Sequence, residues 1–173
     1  MKLIAGALAV TLASALAAGA ATVATAAPAE PEGRLVGSAG GTLPKMFGPL
    51  AGDPVRFTVN AHGTPGKAGG TFHVLHTKPD GKAFAEFSGR VDCLFSAHGQ
   101  AVMTGIVERA ELPGLPPEIK VVGKRVGLSV QDNGKRGDRI GWSWATGGFE
   151  QNTLLCNSTV PFFTTTNGDY KVR

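Results

Sequence analysis

The four histidines are the side chains of this sequence best suited to bind a metal ion or to move a proton. His73 and His76 are three positions apart, a spacing that places two imidazoles on one face of a helix but on opposite faces of a strand. The apolar residues that flank this pair favour a strand. His62 and His98 each precede a glycine in a predicted turn. We therefore predict no metal ion and no cofactor.

The remaining chemistry-bearing residues mark no catalytic site. The nucleophile-elbow motif Gly-x-Ser-x-Gly is absent from the sequence. A glycosidase needs two carboxylates at a fixed separation, and the sequence spacing of the acids does not point to any such pair. The acids are spread over predicted turns and outer strand faces: Asp53, Asp80, Glu86, Asp92, Glu108, Glu111 and Glu118. We predict a protein that is not an enzyme and has no catalytic residue.

The string 132–138 carries three oxygen-bearing side chains and two cations. Calcium requires more oxygen ligands than this string offers, and the cations would repel it. We interpret the string as a hairpin turn in which Asn133-Gly134 supplies the positive φ angles of a type I′ turn. The Arg-Gly-Asp tripeptide at 136–138 resembles a cell-adhesion signal, but it is short enough to occur by chance.

Trp142 and Trp144 are the only tryptophans of the chain, and two-residue alternation places both on the strand face of Ile140. Large apolar rings on such a face are most simply core residues. The alternative is a ligand wall, in which both rings and Met103 surround a void for a small apolar molecule.

Cys93 and Cys156 are the only cysteines of the chain, and two cysteines in an exported protein usually pair. Alternation places Cys93 on the apolar face of Val91 and Phe95, so its sulfur is expected to point into the core. Neither cysteine lies near a residue that would activate it as a nucleophile. We predict one disulfide between them.

Alternation of apolar and polar side chains runs through most of the chain after position 53. Between positions 55 and 61, for example, every odd residue is apolar and every even residue is polar. Turn-forming residues separate many such short runs, and no window shows the periodicity of an amphipathic helix. The prediction is an all-β protein, an antiparallel β-sandwich or barrel of about 8–10 short strands.

The N-terminal part predicts export. Residues 1–27 have a lysine at position 2, a long run of Ala, Leu, Val and Gly, and small residues before a cleavage site at Ala27, as in a secretory signal peptide. Residues 28–53 are rich in Pro and Gly and predict an irregular arm with one short edge strand at 34–36. Residues 54–173 predict a single β domain. The expected product is secreted and has no membrane span after signal removal.

The net charge of +4 is small. A nucleic-acid-binding domain is usually more basic and interleaves aromatic residues with its charges, so we predict no nucleic-acid partner. A weakly positive surface is compatible with a partner in the cell envelope or the extracellular space.

Three strings of the sequence resemble a pattern of small exported β proteins from high-GC Gram-positive bacteria, mostly catalogued as hypothetical secreted or repetin-like proteins. The strings are 89–94 (G-x-V-x-C-L), 99–105 (G-x-A-x-x-x-G) and 130–139 (V-x-D-N-G-x-x-x-D-R). The resemblance covers residues 54–172 and implies an exported β domain. No catalytic or binding residue follows from it.

Three functions are compatible with these predictions. The leading one is a non-enzymatic extracellular module, structural or binding at the cell surface, with no deep cavity and a core of Phe57, Phe72, Phe95, Trp142 and Trp144. The second is a lipocalin-like barrel with a cavity for a small apolar ligand. The third is a small secreted hydrolase or isomerase, in which histidines and acids meet in one cleft.

Overall fold

The computed structural model describes residues 32–145 and 147–173, and nine β-strands contain most of these residues. The predicted signal peptide lies outside the described residues. The strands are β1 (Gly33–Thr42), β2 (Pro54–Gly63), β3 (Gly69–Thr77), β4 (Ala83–Ala97), β5 (Gln100–Glu111), β6 (Arg125–Gln131), β7 (Arg139–Trp142), β8 (Phe163–Thr164) and β9 (Asn167–Val172). Short 3-10 turns occur at Lys45–Leu50, Gly134–Arg136, Ser143–Ala145 and Gly148–Glu150.

All nine described strands form one antiparallel sheet in the order β8-β7-β6-β5-β4-β3-β2-β1-β9. The outermost strands, β8 and β9, are consecutive in the chain and separated only by Thr165 and Thr166. The backbone N–H of Thr165 donates to the Asp138 carbonyl next to β7, and that of Thr166 donates to the Gly40 carbonyl of β1. The two edges therefore meet, and the sheet curls into a barrel-like form. The all-β antiparallel prediction with one disulfide is confirmed.

Alternating side chains fill the inside of the curled sheet. In β2 the odd residues Val55, Phe57 and Val59 are buried, while Arg56 is exposed. The same alternation in the neighbouring strands produces one continuous core. Within residues 32–145 and 147–173, no helix is both long and apolar enough to span a membrane.

Strand β1 is longer and more central than the sequence predicts. The expected short edge strand at 34–36 is part of Gly33–Thr42, which pairs with β2 on one side and β9 on the other. The sequence does not predict the full length of β1, because the glycines of this strand carry no β-strand preference. Gly37 is needed where Tyr170 of β9 packs, since a Cβ there would lie 2.7 Å from the Tyr170 Cα.

The β6–β7 connection is not the predicted type I′ hairpin. Asn133 has a φ of −105°, and a 3-10 turn occupies Gly134–Arg136. The Asp138 carboxylate is buried and accepts hydrogen bonds from the backbone N–H groups of Asn133 at 2.9 Å and of Tyr170 at 2.6 Å. Asp132 accepts one from the N–H of Val172. These acids therefore hold the edge strand β9, and the burial of Asp138 hides the acidic member of the Arg-Gly-Asp tripeptide.

A strap formed by residues 153–161 of the β7–β8 connection crosses the outer face of β5, β6 and β7. The N–H of Cys156 donates to the Thr104 hydroxyl of β5 at 3.2 Å, and the Ser129 hydroxyl of β6 donates to the Thr159 carbonyl. Gly127 lets the strap approach, because a Cβ there would lie 2.1 Å from the Asn157 carbonyl oxygen. The disulfide to Cys93 fixes the strap to β4.

Cys93 and Phe95 lie on the outer face of the sheet, so their predicted inward orientation is wrong. The pairing of β4 with β5 shifts by one residue between Val91 and Cys93, and such a bulge exchanges the two faces of the strand beyond it. Leu94 therefore joins the interior core, whereas Phe95 is 56% exposed. Cys93 remains fully buried, because the strap covers it.

Candidate functional site

The two ends of the curled sheet are closed in different ways. At one end, which we call the filled end, short connections join β2 to β3, β4 to β5 and β6 to β7. At the other, the open end, long connections follow β1, β5 and β7. An apolar cavity of about 340 Å³ lies at the open end. This volume falls within the lower part of the range of small-molecule sites.

Aromatic rings form the cavity wall on the sheet side. Trp142 of β7 stacks on Phe57 of β2, with ring centroids 4.8 Å apart. Phe87 of β4 meets the ring of Trp144 edge to face at 5.2 Å. Both pairs have the geometry that favourable aromatic contacts adopt. The wall is therefore aromatic and apolar.

The long connections cover the cavity from the open side. Phe47 and Leu50 come from the β1–β2 connection, and Ile119 comes from the β5–β6 connection. Phe149 comes from the β7–β8 connection and stacks on Trp144 at 5.6 Å. Lys124 donates to the Phe149 carbonyl oxygen at 2.9 Å, which joins two of these covering segments.

The imidazole of His76 is a polar group on the cavity wall, and its neighbours hold it in one orientation. It is an inward residue at the end of β3, and its Nε2 lies 2.8 Å from Oδ2 of Asp53. Lys78 Nζ lies 3.0 Å from the same oxygen. The ring of His76 also contacts the ring of Phe84, with centroids 4.4 Å apart. Carboxylate and aromatic ring together fix the plane of the imidazole.

The electrostatics of this cluster favour an ionised acid and a neutral imidazole. Burial raises the pKa of Asp53, but the hydrogen bonds from Lys78 and His76 outweigh burial and hold this pKa below its usual value. Burial lowers the pKa of His76, and the neighbouring Asp53 offsets this only in part. The Asp53 side chain is only 4% exposed, so its charge is balanced mainly by Lys78.

No hydrogen bond joins the second ring nitrogen of His76, Nδ1, to another described residue, and Nδ1 is not one of the fully buried polar atoms that lack a partner. Glu150 is the other ionisable group on the cavity wall, but its side chain is 74% exposed and it pairs with Lys124. The cavity thus combines a large apolar surface with one oriented imidazole, which can accept a proton or a hydrogen bond.

The site residues predicted from the sequence do not all lie together in the structure. Trp142 and Trp144 both line the cavity, but Met103 is fully buried beside Leu128 and is not part of the wall. His73 lies on the outer face, 2.8 Å from Glu86, so the two neighbouring histidines do point in opposite directions. Within the described ranges, no group of three or more His, Cys, Asp or Glu side chains is arranged to hold a metal ion.

Sequence reasoning missed the pairing of His76 with Asp53. Asp53 directly precedes β2 and His76 lies near the end of β3, so the two residues are 23 positions apart in the sequence, and only the register that pairs Val55 with His76 brings them together. The alternation that makes Val55 inward also makes Asp53 and His76 inward, which was a usable signal. The sequence analysis instead counts Asp53 among the acids of predicted turns and outer strand faces, whereas the structure places it inside, 3% exposed.

A comparison of this chain with protein-family models, with curated proteins and with solved structures found no match.

Proposed function

We propose that this protein binds a small apolar molecule in the cavity at the open end of its curled sheet, and that it does so outside the cell. The observation that carries the proposal is the aromatic cavity of about 340 Å³ at one end of a continuous apolar core. Exposed apolar surface in water is costly. An apolar molecule that enters a cavity with such walls removes apolar surface from water, both its own and that of the cavity.

Export is the second part of the proposal. It is supported by the signal-peptide pattern of residues 1–27 and by the disulfide, which is stable in oxidising compartments. The resemblance to small exported bacterial β proteins points in the same direction. The measurement is the N-terminal sequence of the protein recovered from the culture medium, expected to begin near position 28.

Binding is tested with the apolar fluorophore N-phenyl-1-naphthylamine and the purified, oxidised protein. We expect a saturable rise in probe fluorescence. The variant Ala85→Leu adds three carbon atoms to a cavity-wall residue and should weaken binding at least tenfold, on the order expected when a bulky side chain occupies the site. Its melting temperature should stay close to that of the parent protein.

The matched control is Ala83→Leu, the same change two residues earlier on β4 at an exposed position. This variant should bind the probe as the parent does. Equal affinity of both variants and the parent would show that the probe binds elsewhere, and the proposal would be wrong.

A second candidate function is an enzyme that uses His76 as a base. The observation in its favour is the Asp53–His76 pair, because a carboxylate that orients an imidazole is a recurrent catalytic arrangement. The test is hydrolysis of 2-naphthyl acetate by the parent protein and by His76→Phe. A rate above background that is lost in the variant would support this candidate, and equal rates would exclude it for this ester.

A further inference from the structure

The hydrogen bonds of Asp53 decide which ring nitrogen of His76 carries the proton. Its carboxylate can only accept hydrogen bonds, and the ammonium of Lys78 can only donate them. The 2.8 Å contact between His76 Nε2 and Asp53 Oδ2 therefore requires the ring proton on Nε2. In the neutral ring, Nδ1 then carries a lone pair and no proton.

We propose that the ligand of this cavity is an apolar molecule with a hydroxyl group, an alcohol or a phenol, whose O–H donates a hydrogen bond to Nδ1 of His76. The inference rests on the proposed binding function and names the chemical class of the ligand. The apolar body of the molecule would lie against Phe57, Trp142 and Trp144. Its hydroxyl would satisfy the acceptor that the protein itself leaves without a partner.

Other polar groups fit this wall less well. A ketone, an ether or a carboxylate offers only acceptors and would set a lone pair against that of Nδ1. A carboxylate would also approach the anionic Asp53, whose charge is already paired, and Glu150 at the rim. Lowering of the His76 pKa by burial keeps the imidazole in its accepting form at neutral pH.

The test compares three bicyclic probes of similar size: 2-naphthol, 2-methylnaphthalene and 2-naphthoate. Binding is measured at pH 7.5 by competition with N-phenyl-1-naphthylamine. We expect 2-naphthol to bind about tenfold more tightly than 2-methylnaphthalene, the effect of one good hydrogen bond, and 2-naphthoate to bind most weakly. Preferred binding of 2-naphthoate would show that the cavity offers a donor, and the inference would be wrong.

Two variants separate the hydrogen bond from the shape of the cavity. His76→Phe keeps a flat ring but has no acceptor, so the preference for 2-naphthol over 2-methylnaphthalene should disappear. His76→Gln can donate to Asp53 through its amide nitrogen and accept from the ligand through its oxygen, so it should restore much of the preference. A 2-naphthol preference that survives in His76→Phe contradicts the role of Nδ1.

The two proposals fail in different ways. If none of the three probes displaces the fluorophore and the fluorophore itself does not bind, the binding function is wrong. If 2-methylnaphthalene binds as well as 2-naphthol in the parent protein, the cavity binds apolar molecules and only the hydroxyl inference fails. Folding of each variant is checked by its affinity for 2-methylnaphthalene, which needs no hydrogen bond.

Discussion

The filled end and the open end of the curled sheet are built from the same strands, yet the aromatic cavity lies at the open end. At the filled end, Leu35, Val130 and Ile140 are fully buried members of the core, near short connections. At the open end, the inward residues are larger rings, and long connections stand over them without filling the space. The difference shows that strand alternation produces a core, whereas the lengths of the connections decide where room for a ligand remains.

The disulfide offers the largest expected effect. Cys93 and Cys156 are 63 positions apart, and a bridge across such a loop stabilises a fold by about 4 kcal/mol on the chain-entropy model. The double variant Cys93→Ser and Cys156→Ser should therefore melt roughly 10 °C lower. Far-ultraviolet circular dichroism should retain the β spectrum, because the bridge lies outside the interior core.

The same variant bears on the comparison between the ends. The strap that the disulfide fixes continues directly into the segment with Trp144 and Phe149, which covers the cavity. We expect N-phenyl-1-naphthylamine binding to weaken in the double variant at temperatures where the protein is still folded. Unchanged melting of the oxidised and reduced parent protein would contradict the stabilising role of the bridge.

A pair of identical substitutions tests the packing difference itself. Ile140→Ala at the filled end removes a fully buried side chain and should cost about 2–5 kcal/mol. Ile119→Ala at the open end removes a partly exposed cavity-wall side chain and should cost about 1 kcal/mol or less. Chemical unfolding of both variants gives the two values, and equal costs would show that the ends are packed alike.

A glycine pair tests the contact between strap and sheet. In Gly127→Ala the new Cβ would meet the Asn157 carbonyl oxygen at 2.1 Å, so we expect a loss of about 1–3 kcal/mol as the strap is displaced. Gly69→Ala is the control, because its Cβ would have no neighbour closer than 3.8 Å. A Gly127 variant as stable as the control would mean that the strap does not lie against β6.

The smallest expected effect is a pH dependence of stability. Burial lowers the pKa of His76, so the unfolded chain takes up a proton at a higher pH than the folded protein. The stability that comes from keeping His76 neutral is therefore complete above the ordinary histidine pKa of about 6.5, and it is lost as the pH falls below that value. Asp53, whose pKa is lowered in the folded state, adds a further loss at more acidic pH.

The charged and titratable groups around His76 are Asp53, Lys78 and the rim residue Glu150. We therefore expect the melting temperature to fall between pH 7.5 and pH 5.5, and the slope to be shallower in His76→Phe. The same slope in both proteins would assign the acid sensitivity to other groups.

The sequence predicts the fold class well, because two-residue alternation reports directly which side chains face the interior. The same alternation gives Trp142 and Trp144 as core residues or, in the alternative, as a ligand wall. Both line the cavity, although Trp144 lies in the 3-10 turn after β7 and not in a strand. The prediction fails at Cys93, where one extra residue in the strand exchanges the faces, and at β1, where glycines carry no alternation signal. The Asp53–His76 pair needs the register of β2 against β3, which local patterns do not contain.

The central claim is that an apolar ligand enters the cavity at the open end, and tryptophan fluorescence tests it most directly. The chain has only two tryptophans, and both line the cavity. Titration with N-phenyl-1-naphthylamine should quench their emission by energy transfer, with the same saturation curve as the rise in probe fluorescence. In Ala85→Leu both curves should shift together to at least tenfold higher probe concentration. Unchanged probe affinity in Ala85→Leu, or probe binding that leaves the tryptophan emission of the parent protein unchanged, would contradict the account.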